Sequence, residues 1–209
     1  MKKTLFIYLL FLSFISINAQ ISQHGFVLNG GFGSVNAEKG KSGERWDEYN
    51  YQFGIAAGYR IRLKKPEIKS FHYDIDVTAG AKYLKAISYG LSGYDGFSSS
   101  RTGSTPDYFA SIGGTVNYSF IKNIGVGVGI EPTYFLKKDL PGTYQEGESK
   151  ERKTNFDIPI IAKIYYNLKW VEIGISGKYG ISSVLEKTYL KSGKYREIQM
   201  SLFIPLKTY

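Results

Sequence analysis

Apolar residues alternate with small or polar residues along most of the chain. In the segment 49–63, every odd position is tyrosine, phenylalanine, isoleucine, leucine or alanine, and the even positions carry asparagine, glutamine, glycine, alanine or arginine. Successive side chains of a β-strand point to opposite faces, so this period of two predicts a strand with one apolar face. The same alternation predicts seven more strands, over 24–35, 71–83, 107–120, 124–134, 156–166, 171–181 and 198–206.

The connections between these strands alternate in length. Long polar loops, such as those over 36–48 and 137–154, follow the first, third, fifth and seventh strands, whereas short connections over 64–70, 121–123 and 167–168 follow the second, fourth and sixth. An even number of long strands, with short turns at one rim and long loops at the other, is typical of a bacterial outer-membrane barrel. We therefore predict an all-β fold, an eight-stranded antiparallel up-and-down transmembrane β-barrel.

A soluble eight-stranded barrel with its apolar face inward and a ligand inside would show the same alternation. Three features favour the membrane barrel. The strands are long enough to cross an apolar band of ~25 Å at a tilt, and charged residues recur well inside the strands in the polar phase. Aromatic residues gather near strand ends, where the girdles of a membrane protein belong: Tyr49, Tyr51, Phe71, Tyr73, Tyr83, Tyr108, Tyr118, Phe120, Tyr134, Phe156 and Tyr166.

The N-terminus and the composition indicate export. Lys2 and Lys3 precede an apolar stretch over 5–17 that ends near a small residue, Ala19, as in a secretory signal peptide. We expect residues 1–19 to be a cleaved signal peptide and residues 20–209 to form the outer-membrane barrel domain. The chain has no cysteine, which excludes disulfides and thiolate metal sites. Its 27 basic and 18 acidic residues, less the two N-terminal lysines, leave a charge of +7 that suits anionic lipid headgroups.

If the apolar rows face lipid, the other phase of the alternation places charged side chains in the interior. Ten of them form the predicted lumen charge network: Arg60, Arg62, Asp74, Asp76, Lys82, Glu131, Asp157, Lys163, Glu172 and Lys178. Asp107, Glu197 and Lys207 share their phase. Side chains just fill the interior of an eight-stranded barrel, and charges there are costly unless they are paired. We interpret the network as a structural plug, with an ion path or a gate as the alternative.

Hairpin geometry predicts opposite-charge pairs within this network. They are Lys163 with Glu172, Asp157 with Lys178, and Arg60 with either Asp74 or Asp76. The first two pairs follow from a two-residue turn at 167–168, and the third follows from the connection over 64–70.

The segment GVGVGIEP, residues 125–132, raises the question of a phosphate-binding loop. Its glycines stand at every second residue, and no helix follows, so the nucleotide-binding spacing is not met. We interpret the three glycines as inward positions that make room for neighbouring charged side chains such as Lys163. Pro132 and Pro159 each remove a hydrogen-bond donor from the sheet, so both are expected at bulges, facing each other on neighbouring strands.

Three segments carry a resemblance to a known family. They are VGVGIEPTYFLKK over 126–138, NFDIPIIAKIYYN over 155–167 and VEIGISGKYGIS over 171–182, and they resemble the small outer-membrane β-barrel family of Bacteroidetes that includes PorT-like proteins. The residues that match the family's proline, glutamate and lysine positions are Glu131, Pro132, Pro159 and Lys163, with Glu-Pro in place of the commoner Pro-Glu. The resemblance implies an outer-membrane barrel over 25–209, and a few family members are linked to protein secretion.

No catalytic role is predicted. The chain has two histidines, His24 and His72, and His72 shares a face with Asp74, but the sequence places no serine beside this pair. We interpret His72 as a lumen-end residue joined to the network of Arg62 and Asp74. Two separate histidines without cysteine make no metal-ligand cluster, so neither a metal nor a cofactor is expected.

The predicted function is that of a non-catalytic integral protein of a Gram-negative outer membrane, with its lumen closed by paired charges. It would act in envelope structure or in surface contacts through four extracellular loops. A narrow porin-like channel, an accessory component of a secretion system and a soluble lipocalin-like barrel are the alternatives. Expected partners are outer-membrane lipids and lipopolysaccharide, and the barrel assembly machinery during insertion. The barrel is expected to be a monomer that does not bind nucleic acid.

Overall fold

The computed structural model describes residues 21–36, 45–64, 66–91, 98–136, 154–168, 170–182 and 194–208. Its strands are β1 (Ile21–Asn36), β2 (Arg45–Leu63), β3 (Ser70–Leu91), β4 (Ser98–Ile121), β5 (Ile124–Ile130), β6 (Thr133–Phe135), β7 (Phe156–Asp157), β8 (Ile160–Asn167), β9 (Glu172–Tyr179) and β10 (Lys194–Thr208). The predicted signal peptide lies outside the described residues, as do most residues of the predicted long loops. The described residues contain no helix long and apolar enough to cross a membrane.

These strands close into one barrel. Neighbouring strands pair antiparallel, and β10 pairs with β1, so the sheet has no free edge there. β5 and β6 both pair with β4, while β8 pairs with β5 and β7 pairs with β6. Each of these two couples is therefore one long strand with an interruption. The barrel has eight antiparallel strands, which confirms the predicted architecture.

The two interruptions are at Pro132 and Pro159, and neither is a bulge. The pairing of β5 with β8 and that of β6 with β7 follow one continuous register, so no residue is inserted between them. The carbonyl oxygens of both prolines still accept hydrogen bonds within the sheet. Ile112 N–H donates to Pro132 O at 3.0 Å, and Glu131 N–H donates to Pro159 O at 2.9 Å. The bulge prediction was wrong because a proline removes one donor and leaves its acceptor in the sheet.

The apolar rows of the sequence point outward and the polar rows point inward. Val128 is 62% exposed, whereas Thr115, on the inward face of the neighbouring strand, is 7% exposed. The other exposed side chains of the wall are mainly isoleucine, valine, phenylalanine and tyrosine. This arrangement contradicts the alternative of a soluble barrel with its apolar face inward.

The short connections form one rim of the barrel. Residues 64–69 join β2 to β3, and Lys64 and Lys69 adopt φ angles of 66° and 56° there. A two-residue turn joins β4 to β5. The β8–β9 hairpin closes at Asn167 and Glu172, and Leu168 N–H donates to Val171 O at 2.7 Å across a four-residue turn. The two-residue turn predicted at 167–168 was therefore wrong.

The longer turn changes which residues of β8 and β9 lie opposite each other, but each side chain stays on its predicted face of the sheet. Lys163 pairs with Ser176, and Lys178 pairs with Ile161. The register differs from the predicted one by an even number of residues, and only an odd shift would turn side chains to the other face of the sheet. The predicted pairs Lys163–Glu172 and Asp157–Lys178 were wrong, although all four residues point inward.

Candidate functional site

The interior holds all ten residues of the predicted network, in two clusters and one separate carboxylate. The turn-end cluster, nearer the short turns, consists of Arg60, Arg62, Asp74, Asp76, Lys163 and Glu172. The loop-end cluster, nearer the long loops, consists of Lys82, Glu131, Lys178 and Glu197. The remaining residue, Asp157, lies apart from both.

Two parallel ion pairs on neighbouring strands organise the turn-end cluster. The register of β2 and β3 sets Arg60 opposite Asp76 and Arg62 opposite Asp74. Each guanidinium donates two hydrogen bonds to its carboxylate, at 2.7 and 2.8 Å for Arg60 and at 2.6 and 2.9 Å for Arg62. Such bidentate pairs fix orientation as well as charge. The predicted pairing of Arg60 with Asp74 or Asp76 is confirmed.

Further bonds join this cluster across the interior. Glu172 on β9 accepts from Arg60 Nη1 at 2.8 Å and from Arg62 Nη2 at 2.7 Å. Lys163 on β8 donates to Asp74 Oδ2 at 2.9 Å. Three cations thus meet three carboxylates drawn from β2, β3, β8 and β9. The cluster is electrically balanced and ties strands that are not neighbours in the wall.

An aromatic ring that the sequence analysis did not consider covers the two arginines. The guanidinium carbons of Arg60 and Arg62 lie 5.0 and 5.1 Å from the ring centroid of Phe203, which is 1% exposed. A cation over the face of a desolvated aromatic ring is stabilised electrostatically. Phe203 stands in the inward phase of β10, and an aromatic residue in that phase is the sequence signal that could have identified it.

The loop-end cluster pairs charges across the barrel in the same way. Lys82 Nζ donates to Glu197 at 2.7 Å, and Lys178 Nζ donates to Glu131 at 2.5 Å. Gln199 donates to the other oxygen of Glu197 at 2.6 Å. The ammonium group of Lys82 also faces three inward rings at 4.9–6.0 Å from their centroids: Phe109, Phe135 and Tyr195.

Asp157 has a local role in the wall. Its Oδ1 accepts from the backbone N–H groups of Ile158 at 2.8 Å and Ser182 at 2.9 Å, which joins β7 to the end of β9. A Cβ atom at Gly180 would collide with the other carboxylate oxygen, so the glycine makes this approach feasible. Lys178, the partner predicted for Asp157, instead binds Glu131.

Of the three inward glycines of β5, only Gly127 makes room for a charged side chain, because Cβ atoms at Gly125 and Gly129 would instead meet Tyr165 and the backbone of Gly114. A Cβ atom at Gly127 would collide with Asn117 Oδ1 and would lie 2.8 Å from Lys163 Cε. We expect Gly127→Ala to lower the free energy of unfolding by ~1–3 kcal/mol, because two packed side chains must move. Gly114→Ala is the matched control, since a Cβ there points outward and meets nothing within 4 Å. Equal stability of the two variants in denaturant titrations would contradict this account.

The histidines do not form a catalytic arrangement with the described residues around them. His72 is fully buried, and neither ring nitrogen has a hydrogen-bond partner among the described residues. Its ring lies edge-on to Tyr165, whose hydroxyl is hydrogen-bonded to Ser119. His72 is thus buried in the interior, but among the described residues no hydrogen bond joins it to the network of Arg62 and Asp74. His24 contacts the hydroxyl of Tyr59 instead.

The described residues also contain no group of three or more histidine, cysteine, aspartate or glutamate side chains arranged to hold a metal ion.

What the interior charges can do is fill the barrel with paired side chains. Arg62 and Asp74 are each 1% exposed, and Lys82 is 5% exposed. A water-filled pore would leave such side chains accessible.

Comparisons with known proteins describe the fold alone. No protein-family model and no curated protein matches the chain. Among solved structures, the chain is similar to the outer membrane protein OprG from Pseudomonas aeruginosa, with a TM-score of 0.43 and 11% identity over 91% of this chain and 97% of OprG. It is also similar to a NanC porin, with a TM-score of 0.34 and 10% identity over 87% of this chain and all of the porin chain. At this level of similarity, no role is transferred from either protein.

Proposed function

We propose that the protein is a non-catalytic integral outer-membrane barrel whose interior is closed by the turn-end and loop-end clusters. The short turns would face the periplasm, and the four long loops would face the exterior. In this role the barrel is a stable membrane scaffold, and contacts with other molecules are made by its rims and loops. Membership of the PorT-like family of Bacteroidetes, suggested by the sequence resemblance, is part of the same proposal.

The outer surface supports a membrane location. Aliphatic side chains such as Val77, Ile112 and Val128 form an exposed belt around the barrel. Exposed aromatic residues flank this belt at both ends: Phe71, Phe120 and Tyr166 toward the turns, and Tyr83, Tyr108, Tyr134 and Phe156 toward the loops. Phe71 and Tyr83 are twelve residues apart, about 40 Å along the strand, and a tilt of ~40° reduces this to about 30 Å along the membrane normal, enough to flank an apolar band of ~25 Å.

The burial of the charged clusters is the observation that carries the closed state. Ions cross a barrel through water, and Arg60, Arg62, Asp74, Lys163 and Glu172 in the turn-end cluster, like Lys82, Glu131 and Glu197 in the loop-end cluster, are buried. Opening a path would require breaking bonds such as Arg62–Glu172 and Lys82–Glu197 at 2.7 Å each. Breaking buried charge pairs is strongly unfavourable, so spontaneous opening is expected to be rare.

Two experiments test the proposal. The protein should remain with outer membranes after washing with alkaline carbonate, and recovery in the soluble periplasm would refute the membrane location. After refolding and insertion into planar bilayers, with insertion verified by a mobility shift between unheated and heated samples, it should show no steady single-channel currents. A conducting porin inserted under the same conditions is the control. Steady currents from the wild type would refute closure while leaving the membrane location intact.

A narrow channel is the second candidate, and the middle of the interior favours it. Between the two clusters the wall is lined by small side chains: Ala56, Gly58, Thr78, Gly80 and Ser111. Asp76 of the turn-end cluster and Glu131 of the loop-end cluster both lie beside Gly113, where a Cβ atom would be 3.7 Å from each. A path through this level would need rearrangement at both ends, and the conductance experiment separates the two functions.

A further inference from the structure

We propose that the rim formed by the short turns is a binding surface for anionic phospholipid headgroups. This inference rests on the proposed membrane location and specifies which end of the barrel binds which lipid chemistry. The surface, called here the basic turn arc, consists of the described residues of the three turns, 64, 66–69, 121–123, 168 and 170–171.

The three turns of the basic turn arc are contiguous. The backbone N–H of Lys69 donates to Ser119 O at 2.7 Å, which ties the first turn to the end of β4. The N–H of Asn167 donates to Asn123 O at 2.7 Å, which ties the second turn to the end of β8. These two bonds therefore set the three turns side by side along one part of the rim.

The charge of the arc has a single dominant sign. Lysines stand at positions 64, 65, 69, 122 and 169, and Glu67 is the acidic residue of these turns. Lys64, Lys69 and Lys122 are exposed. In the long connecting segments 37–44, 92–97, 137–153 and 183–193, by contrast, nine basic and eight acidic residues are mixed. The three turns thus carry five lysines and one glutamate within thirteen residues of sequence, a net charge of +4 that would meet the lipid surface of one leaflet.

Apolar side chains accompany these lysines. Ile68, Ile121, Leu168 and Trp170 are exposed on the same turns, and Trp170 is 77% exposed. Tryptophan favours the boundary between headgroups and acyl chains, and lysine extends its ammonium group to the phosphate level while its methylenes stay in the apolar layer. Apolar anchors beside clustered lysines fit an anionic lipid surface better than a solvated rim or a zwitterionic headgroup.

Trp170 makes the inference directly measurable. In a Trp46→Phe variant, Trp170 is the remaining tryptophan, and its fluorescence reports lipid contact at the arc. The barrel is reconstituted in phosphatidylcholine vesicles in which an equal fraction of lipid carries brominated acyl chains, with either a phosphatidylglycerol or a phosphatidylcholine headgroup. We expect the association constant derived from quenching to be at least about two-fold higher for phosphatidylglycerol, and the difference to shrink as salt is raised.

Matched variants locate the effect. Lys64→Gln, Lys69→Gln and Lys122→Gln, combined in the same background, should abolish the preference for phosphatidylglycerol. Replacing Lys137, Lys138 and Lys150 by glutamine removes the same charge from a long loop and should leave the preference intact. Heat-dependent gel mobility verifies that each variant is folded.

The outcomes separate this inference from the proposed function. Equal quenching by the two brominated lipids would overturn the anionic preference while leaving membrane insertion in place. Absence of quenching by both would overturn the placement of the turn rim at a bilayer and, with it, the proposed function. An equal loss of preference in the long-loop variant would show a general effect of net charge and would overturn the assignment to the basic turn arc.

Discussion

Replacing Asp74 by asparagine should lower the free energy of unfolding by ~3–5 kcal/mol, because the change leaves buried cations without their shared carboxylate. Asp74 accepts from Arg62 at 2.6 and 2.9 Å and from Lys163 at 2.9 Å, and Arg60 lies 3.7 Å away. Asparagine keeps the size but loses the charge. Equilibrium denaturant titration of the refolded barrel measures the effect.

Two variants control for this result. Glu67→Gln removes a carboxylate from an exposed turn and is expected to change stability by less than about 0.5 kcal/mol. Lys163→Met in the Asp74→Asn background removes one of the unpaired cations, so the double variant should be less unstable than the sum of the two single changes. Additive effects, or a loss below ~1 kcal/mol for Asp74→Asn alone, would show that the turn-end cluster is not a coupled network.

Val128→Arg should destabilise the membrane-inserted barrel by ~2–4 kcal/mol, the cost of an arginine at the midplane of a membrane barrel. Val128 is 62% exposed and stands midway along the outward row of β5 and β6. On a soluble barrel, replacing an exposed valine by arginine would change the free energy of unfolding little. The measurement is unfolding of the variant and the wild type in vesicles of the same lipid.

Ile121→Arg is the depth control for that experiment. Ile121 is also β-branched and exposed, but it stands at the turn rim, where arginine costs only ~0–1 kcal/mol. If the outer surface faces lipid as proposed, Val128→Arg must destabilise the barrel more than Ile121→Arg does. Equal costs at the two positions would contradict the depth assigned to Val128.

Much of the fold could be predicted because alternation is a local property. Lys163 stands between Ala162 and Ile164, and this alone turns its side chain to the polar face. The wrong register of the β8–β9 hairpin did not affect that prediction, since the error was an even number of residues. For the same reason, the inward position of all ten network residues could be read before any partner was known.

The partners of these residues could not be predicted in the same way. Lys163 and Asp74 lie 89 residues apart in the chain and on strands that do not touch in the wall. Their contact depends on barrel closure and on the stagger between strands, which every turn and interruption influences. The four-residue turn at 168–171 shows how such a detail changes partners without changing faces.

The sequence by itself determined the number of barrel strands, their alternating faces and the inward position of the charges, because each depends on neighbours along the chain. The tertiary structure decided which charges pair, that Phe203 covers Arg60 and Arg62, and that the turns join into one basic arc. Those features depend on closing the sheet, which brings distant strands together inside a narrow interior. Pairing across that interior is possible only after closure, and burial makes it obligatory.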